Sequence, residues 1–120
     1  MPDASFPVEM VGGVPVVATP EEIDITNADG LRTALLEAAG HGPGGFVVDM
    51  SRTEFCDTAG IHALVLAHKR AGAQGSEVRL VIAGAAVLRI FSVTGLDEVI
   101  PQFASLDDAL AAAPGGAEPS

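Results

Sequence analysis

The first apolar positions of the chain alternate with other residues, which is the spacing of a β-strand. Residues 6 to 10 alternate in this way through Pro7 and Glu9, and the proline favours an edge position. Gly12-Gly13 is a two-residue turn signal, and Val14 to Ala18 continues as a second apolar run. The pattern therefore predicts an antiparallel hairpin at the start of the fold.

Three later runs predict further strands. Phe46 to Met50 and Val78 to Ala83 are too short for helices and apolar enough for buried central strands. Glu98 to Ile100, followed by Pro101, is typical of a short last strand. The stretch from Pro20 to Thr26 is expected to be a loop.

The two longer helical patterns lie on either side of the first central strand. The first begins after Thr26 or Asn27, either of which can cap it, and its apolar stripe consists of Leu31, Ala34, Leu35 and Ala38. The second runs from Thr58 or Ala59 to Ala73 and carries two apolar stripes. Since few positions remain for solvent, this helix is either covered on more than one side or presents an apolar surface to a partner.

Two short helices are predicted in the last third of the chain. The first follows Gly84 and ends at Gly95, where a left-handed residue is expected, and its inward positions are Val87, Leu88, Ile90 and Phe91. The second begins with an approximate capping box at Ser105 and Asp108, and its apolar stripe is Leu106, Ala109, Leu110 and Ala113.

The element order is β-β-α-β-α-β-α-β-α. Strands that alternate with helices favour right-handed crossovers and a mostly parallel sheet. We therefore expect an α/β fold: one small domain over residues 1–113, with a mixed, mostly parallel β-sheet, an N-terminal β-hairpin and about four α-helices. The Gly/Pro/Ala composition of residues 114–120 predicts a flexible C-terminal tail.

Composition and charge narrow the possible functions. The net charge of -10 disfavours nucleic acid, and the absence of Trp and Tyr removes a stacking platform for single strands. No apolar run approaches the length of a membrane span, and the N-terminus shows no secretory signal, so we expect a cytoplasmic protein. Cys56 is the single cysteine, which excludes an internal disulfide.

The most informative stretch is Asp49 to Ile61. A short apolar strand ends in a polar loop, which delivers the hydroxyl of Thr58 to the first turn of the long second helix. Helix N-termini have unpaired N–H groups and stabilise anions, phosphate among them. Thr58 can therefore cap the helix, and it can also accept a phosphate group.

Three segments carry a resemblance to a known family. Glu22-Ile23-Asp24-Ile25 is similar to the family's Glu-Leu/Ile-Asp, and Val47 to Ile61 includes Asp57-Thr58-Ala59-Gly60-Ile61, similar to its Asp-Ser-Ser/Thr-Gly-Leu signature. Val87 to Leu96 is similar to its Phe-x-x-Ser/Thr-Gly-Leu segment. On these motifs, in this order, the chain resembles the anti-sigma factor antagonists built on the STAS domain.

The resemblance implies a phosphorylation switch without a cofactor. In that family, an anti-sigma factor that is also a Ser/Thr protein kinase phosphorylates the first hydroxyl of the signature. The unphosphorylated protein binds this kinase, which then releases its sigma factor, and a phosphatase, here expected to be of the PP2C type, restores the active form. By position the acceptor is Thr58, while Ala59 replaces the second hydroxyl. The implied protein is a bacterial regulator of transcription and stress response, a substrate rather than an enzyme, and a monomer or weak dimer.

The resemblance also suggests which residues contact the partner. They are Asp24, Asp57, Ala59, Gly60, Ile61, Ser92, Thr94 and Gly95. Each has a structural alternative: Asp57 can cap the helix, Asp24 can end a loop, and Gly60 can permit close packing. Ser92 and Thr94 can satisfy the end of the third helix, and Arg52 can be either a phosphate ligand or an exposed loop residue.

Two other functions remain open on the sequence. One is a phosphorylation-independent STAS scaffold or sensor module. The other is a small enzyme that uses Cys56 or a carboxylate, although no convergent acid, base and nucleophile set is evident. No metal site is expected, because His62 and His68 lack the i, i+4 spacing of a helical metal pair and a closed zinc site needs more than one cysteine here.

Overall fold

Strands and helices alternate along the chain in the computed structural model, which describes residues 6–40 and 44–112. In chain order the elements are β1 (Val8–Val11), β2 (Val14–Ala18), β3 (Glu22–Ile23), α1 (Ala28–Ala39), β4 (Phe46–Met50), β5 (Phe55–Cys56), α2 (Thr58–Ala73), β6 (Val78–Ile82), α3 (Ala85–Thr94), a 3₁₀ turn (Leu96–Glu98), β7 (Gln102–Phe103) and α4 (Leu106–Ala111). The predicted α/β fold class is confirmed. The predictions for Ala113 and for the tail 114–120 fall outside the described residues.

The main sheet has five strands in the order β1-β2-β4-β6-β7. The β1–β2 hairpin is antiparallel, and the other neighbours are parallel. The predicted two-residue turn of this hairpin is confirmed. Gly12 and Gly13 both adopt positive φ (59° and 85°), which suits a two-residue turn between twisted strands. The sheet is therefore mixed, with its antiparallel pair at one edge.

Alternating side chains of the strands build two apolar cores. Val48 and Leu80 face a core that α1, α2 and α3 cover, through residues such as Leu35 and Leu64. The opposite face carries a smaller core covered by α4 and formed by Val16, Val47, Val81 and Ala109. Because both faces of β4 and β6 are buried, these strands are apolar at every position except Asp49 and Arg79 and do not show an alternating pattern.

A second, two-stranded sheet lies beyond the main one, and the sequence did not predict it. β3 and β5 pair in parallel, with Glu22 opposite Phe55 and Ile23 opposite Cys56. The expectation of an unbroken loop from Pro20 to Thr26 is therefore wrong, as is that of a loop between β4 and α2. Two-residue strands are too short to show a period, and backbone pairing holds them rather than side-chain pattern.

The predicted last strand, Glu98 to Ile100, begins four residues too early. Glu98 ends the 3₁₀ turn, and the N–H groups of Val99 and Ile100 both donate back to Leu96 O (3.0 and 2.9 Å), so they cannot pair with the sheet. The strand is Gln102–Phe103, and Pro101 precedes it instead of closing it, with its carbonyl accepting from Leu80 N at 2.9 Å.

Helix α3 buries a narrower face than its sequence suggested. Val87 and Phe91 are fully buried and Ile90 packs at the edge of the core, but Leu88 is 41% exposed. Leu88 lies one residue, about 100°, around the helix from Val87, which turns it away from the sheet. The predicted inward position of Leu88 is therefore wrong.

Two buried threonines tie the end of β2 to the segment after β4. The hydroxyl of Thr53 donates to Pro20 O at 2.6 Å and lies 2.6 Å from the hydroxyl of Thr19. Both side chains are buried, so their polar atoms depend on these bonds. The pair holds the Pro20 segment in place and with it the start of β3.

Substitution of Thr53 by Val should lower the free energy of unfolding by about 1–3 kcal/mol, because Pro20 O and the Thr19 hydroxyl lose a buried partner. Urea denaturation followed by circular dichroism measures this. Thr33→Val, at an exposed position of α1, is the matched control and should stay within about 0.5 kcal/mol of the parent. Equal stability of the two variants would contradict this role of Thr53.

Candidate functional site: a hydroxyl at the first turn of helix α2

The site is built where the small β3–β5 sheet leads into α2. Glu54 N and Phe55 N both donate to Glu21 O (2.7 and 3.1 Å), and Asp57 N donates to Ile23 O at 3.0 Å. These backbone bonds fix two segments side by side: residues 21–24, before α1, and residues 54–57, before α2. The position of the first turn of α2 is therefore set by backbone pairing on its N-terminal side.

Asp57 is the N-cap of α2. Its Oδ1 accepts from Ala59 N (3.0 Å) and Gly60 N (3.4 Å), and its extended backbone (φ -91°, ψ -173°) is typical of a capping residue. The expectation that Thr58 caps this helix is wrong. An aspartate reaches the free N–H groups of the first turn and also brings a negative charge to the positive end of the helix dipole.

Thr58 is the first helical residue, and it is exposed. Within residues 6–40 and 44–112, its hydroxyl makes no hydrogen bond that holds it to the fold. The oxygen on which the phosphorylation hypothesis depends is thus on the surface, beside the Asp57 carboxylate. An exposed hydroxyl is accessible to an incoming group.

Gly60 lies where α2 packs against the small sheet. A Cβ atom at this position would lie 2.6 Å from Cys56 Sγ and 2.6 Å from Ile23 Cγ2, far inside normal contact distance. Gly60 is buried, which supports the packing alternative raised from the sequence. The absence of a side chain lets the helix approach the β3–β5 pair closely.

Cys56 is buried beneath the first turn of α2. Burial, with a smaller contribution from the charge of Asp57, raises the pKa of its thiol to about 12. A neutral, buried thiol is a poor nucleophile. This environment weighs against a catalytic role for Cys56.

Asp24 shapes the turn between β3 and α1. Its Oδ1 accepts from Thr26 N at 2.9 Å and from the Thr26 hydroxyl, and these bonds lower the pKa of the Asp24 carboxyl. Asn27 occupies the N-cap position of α1, as predicted, but its side chain bonds back to Asp24 N and to Glu22 O, both at 2.9 Å, instead of capping. Asp24 therefore has a structural role at the edge of the site.

Ser92, Thr94 and Gly95 lie at the end of α3. The Thr94 hydroxyl donates to Ile90 O and Phe91 O (2.9 and 3.2 Å), and Gly95 has a φ of 81°. The start of α3 lies beside Thr53, because a Cβ on Gly84 would lie 3.1 Å from Thr53 O. The ten residues of α3 span about 15 Å, so its last residues lie about that far from the contact at Thr53. The structural alternative for Thr94 thus has direct support, and the left-handed residue expected at Gly95 is confirmed.

Two exposed apolar residues border the site and were missed as candidates. Ile25, two residues after β3, is 79% exposed, and Phe55 in β5 is 47% exposed. Each directly follows an acidic residue, Asp24 before Ile25 and Glu54 before Phe55. A single large apolar residue next to a charge is the signal that could have identified them.

Two further properties can be stated for the part of the chain that the structure describes. It contains no group of three or more His, Cys, Asp or Glu side chains placed to hold a metal ion. None of its helices is both long enough and apolar enough to cross a bilayer.

The fold and the site define a small mixed-sheet α/β domain with an exposed hydroxyl at the start of its second helix. The family model of the STAS domain matches residues 5–109, and this chain belongs to that family. The membership expected from the three sequence segments is confirmed.

The similar proteins include named regulators. The anti-sigma-F factor antagonist RsfB of Mycobacterium tuberculosis is 32% identical over 104 residues, which cover 87% of this chain and 84% of RsfB. The crystal structure of an anti-sigma factor antagonist from Mycobacterium paratuberculosis has a TM-score of 0.81 and 33% identity, and the match covers 90% of this chain and 92% of that one. SpoIIAA in its unphosphorylated form shares the fold, with a TM-score of 0.74, 20% identity and coverage of 89% and 94%.

Gly60→Ala should lower the free energy of unfolding by about 1–3 kcal/mol, because the new methyl group overlaps Cys56 and Ile23. Gly72→Ala lies in the same helix, with no atom within 4 Å of the added Cβ, and should leave stability unchanged or raise it by up to about 1 kcal/mol. Chemical denaturation of both variants tests the close approach. The packing account fails if Gly60→Ala is as stable as Gly72→Ala.

The Cys56 thiol should react with iodoacetamide at pH 8 at least about tenfold more slowly in the native protein than in urea, as followed by intact mass. The raised pKa also has a consequence for stability. The unfolded chain releases this proton near the ordinary value of 9.0, whereas the folded chain holds it to about 12. The resulting stabilisation is complete below pH 9 and is lost as the pH rises towards 12. Equal reactivity in the native and unfolded states would contradict the buried placement.

Proposed function

We propose that this chain is an anti-sigma factor antagonist, which binds an anti-sigma factor that is also a Ser/Thr kinase and is released when Thr58 is phosphorylated. One observation carries the proposal: the Thr58 hydroxyl is exposed on the first turn of α2, without a hydrogen bond to the rest of the described chain. The names of the relatives at 32% and 33% identity support the antagonist role.

The Asp57 cap determines where a phosphate on Thr58 would act. The N–H groups of Ala59 and Gly60, which could otherwise hold a phosphate at this helix terminus, already donate to Asp57. A phosphate adds about -1.5 to -2 charges and would meet a carboxylate next to it. It therefore stays at the surface, where its charge acts on a partner and not on the fold.

The size of such an effect is sufficient for a switch. A phosphate covered by a partner must lose water, and next to a like charge it gains nothing in return. A cost of about 3–4 kcal/mol would weaken binding by about two to three orders of magnitude. Removal of the phosphate, which we assign to a PP2C-type phosphatase, would restore the original affinity without any change of fold.

The predicted partner-binding residues fall into two groups in this proposal. Asp24, Asp57, Ala59 and Ile61 border the first turn of α2, and Gly60 positions that turn from below. Ser92, Thr94 and Gly95 form a separate predicted contact at the end of α3. In this role the chain is a cytoplasmic regulator of transcription and the substrate of a kinase rather than an enzyme, with no cofactor of its own.

The test measures phosphorylation and affinity together, with the anti-sigma factor encoded in the same genome. Incubation with that protein and ATP should add about 80 Da at Thr58, located by peptide mass spectrometry. Thr58→Ala should bind within about twofold of the parent, and Thr58→Glu should bind at least about tenfold more weakly. Thr33→Glu, an exposed threonine of α1, controls for added charge elsewhere.

Two outcomes would decide against the proposal. Parent-like affinity of Thr58→Glu would show that charge at this position does not control binding. An unmodified Thr58 in a complex that still forms would favour the alternative, a phosphorylation-independent STAS scaffold or sensor module.

A further inference from the structure

A groove of about 640 Å³ runs between α1 and α2 and begins at the first turn of α2. Its lining includes Ile25, Arg32, Ala59, Val65, Leu66 and Lys69. Ala59 directly follows Thr58, so the mouth of the groove adjoins the candidate phosphorylation site. The groove therefore lies where a partner that covers Thr58 would continue along the domain.

Apolar side chains form part of the groove wall. Ile25 stands at its mouth and is 79% exposed, while Val65 and Leu66 of α2 are only half-buried. Val65 and Leu66, which belong one to each of the two apolar stripes expected for α2, are thus only partly covered by the described chain. The lining also contains three small side chains, Ala28, Ala59 and Ala63, which leave space for larger side chains of a partner.

The charges along the groove are unusual for this protein. The chain has a net charge of -10 and only six Lys and Arg residues, yet Arg32 and Lys69 both line this groove. Among the lining residues in the described part of the chain, Asp29 is the acidic one, and its carboxylate lies 3.4 Å from Arg32 Nη2. This leaves Lys69 without an acidic counterpart among the lining residues, at the end away from Thr58.

The length and shape of the groove identify the kind of occupant. From Ala59 to Lys69, α2 extends about 15 Å, the length of about three turns of a second helix. A shallow channel between two helices, with apolar side chains in its wall and charges along it, suits an amphipathic helix. A cationic end away from Thr58 favours an occupant with carboxylates at that end.

We propose that an amphipathic helix of the anti-sigma factor docks in this groove, with apolar side chains on Ile25, Val65 and Leu66 and with carboxylates near Lys69. This inference rests on the proposed function, because it names the part of the partner that covers the Thr58 site. The helix begins at the groove mouth, so a phosphate on Thr58 would lie beside Ile25, where docking must remove water.

The apolar contact is tested with two exposed apolar residues. Ile25→Ser should weaken binding of the anti-sigma factor by about tenfold, whereas Met10→Ser, at a position of β1 that is 52% exposed, should change it less than about twofold. Isothermal titration measures both dissociation constants, and thermal melts establish that each variant is folded. The reverse ranking would place the docking surface at β1 and overturn the docking of a helix in the groove.

The charge contact is tested with neighbouring cations on one helix. Lys69→Glu should weaken binding by about tenfold and slow association, while Arg70→Glu, which does not line the groove, should stay within about twofold. Equal effects of the two charge reversals would show that Lys69 acts only through the net charge of the protein. That result would overturn the assignment of a helix with carboxylates near Lys69.

The outcomes separate this inference from the proposed function. In one outcome, the parent binds the anti-sigma factor and Thr58→Glu loses binding, while Ile25→Ser and Lys69→Glu bind like the parent. This result would support the proposed function and refute the docking of a helix in the groove. If the parent shows no binding, the proposed function itself fails. Loss of self-association in Ile25→Ser, measured by sedimentation with partner affinity unchanged, would assign the groove to a second copy and also overturn the inference.

Discussion

The close approach of α2 to the β3–β5 pair at Gly60 is the constraint on which the site depends. A Cβ at this position would lie 2.6 Å from both Cys56 Sγ and Ile23 Cγ2, so only glycine lets the helix reach this depth. The bond from Asp57 N to Ile23 O then fixes the residue before the helix, and the Asp57 carboxylate can close the first turn. Since Thr58 immediately follows Asp57, its exposure is a consequence of this packing. A helix held farther from the small sheet would lose the cap geometry and the defined position of the hydroxyl together.

The same geometry explains how one modification can act without refolding. At an uncapped helix terminus, a phosphate can fold back onto free N–H groups and stabilise the helix that carries it. Here Asp57 already accepts from Ala59 N and Gly60 N, and its charge repels a second anion. A phosphate would therefore gain little from its own chain. Its free-energy cost would instead appear when a partner covers it, which is the condition for a switch that changes affinity while leaving stability nearly unchanged.

The sequence predicted those parts of the fold that depend on a repeated pattern. The hairpin at Gly12-Gly13, the long helices and the central strands all have enough residues to show a period or a turn signal. The β3–β5 pair could not be predicted, because each strand has two residues and the pairing uses backbone atoms. The burial of Arg79 was not predicted, for a different reason. The run Val78–Ile82 is apolar apart from this residue, so its pattern predicts a buried strand but not the position of the guanidinium group. Arg79 is fully buried with its Nε 3.1 Å from Glu77 Oε2, and burial lowers its pKa. For the site, Thr58 followed from the family signature, whereas its exposure and the capping role of Asp57 required the geometry of the first turn.

The small sheet also separates the requirements of folding from those of recognition. Successive residues of a strand point to opposite sides, so Ile23 and Cys56 face inward under Gly60 while their neighbours Glu22 and Phe55 are exposed. The inward pair is constrained by contact with the helix, and its volume cannot change without moving α2. The outward residues, with Ile25 and Thr58 beyond them, are exposed, and their chemistry can change at a lower cost to the fold than that of the inward pair. Specificity for one partner can therefore be adjusted on the outer side of β3 and β5, while the inner side continues to hold the acceptor hydroxyl in the same place.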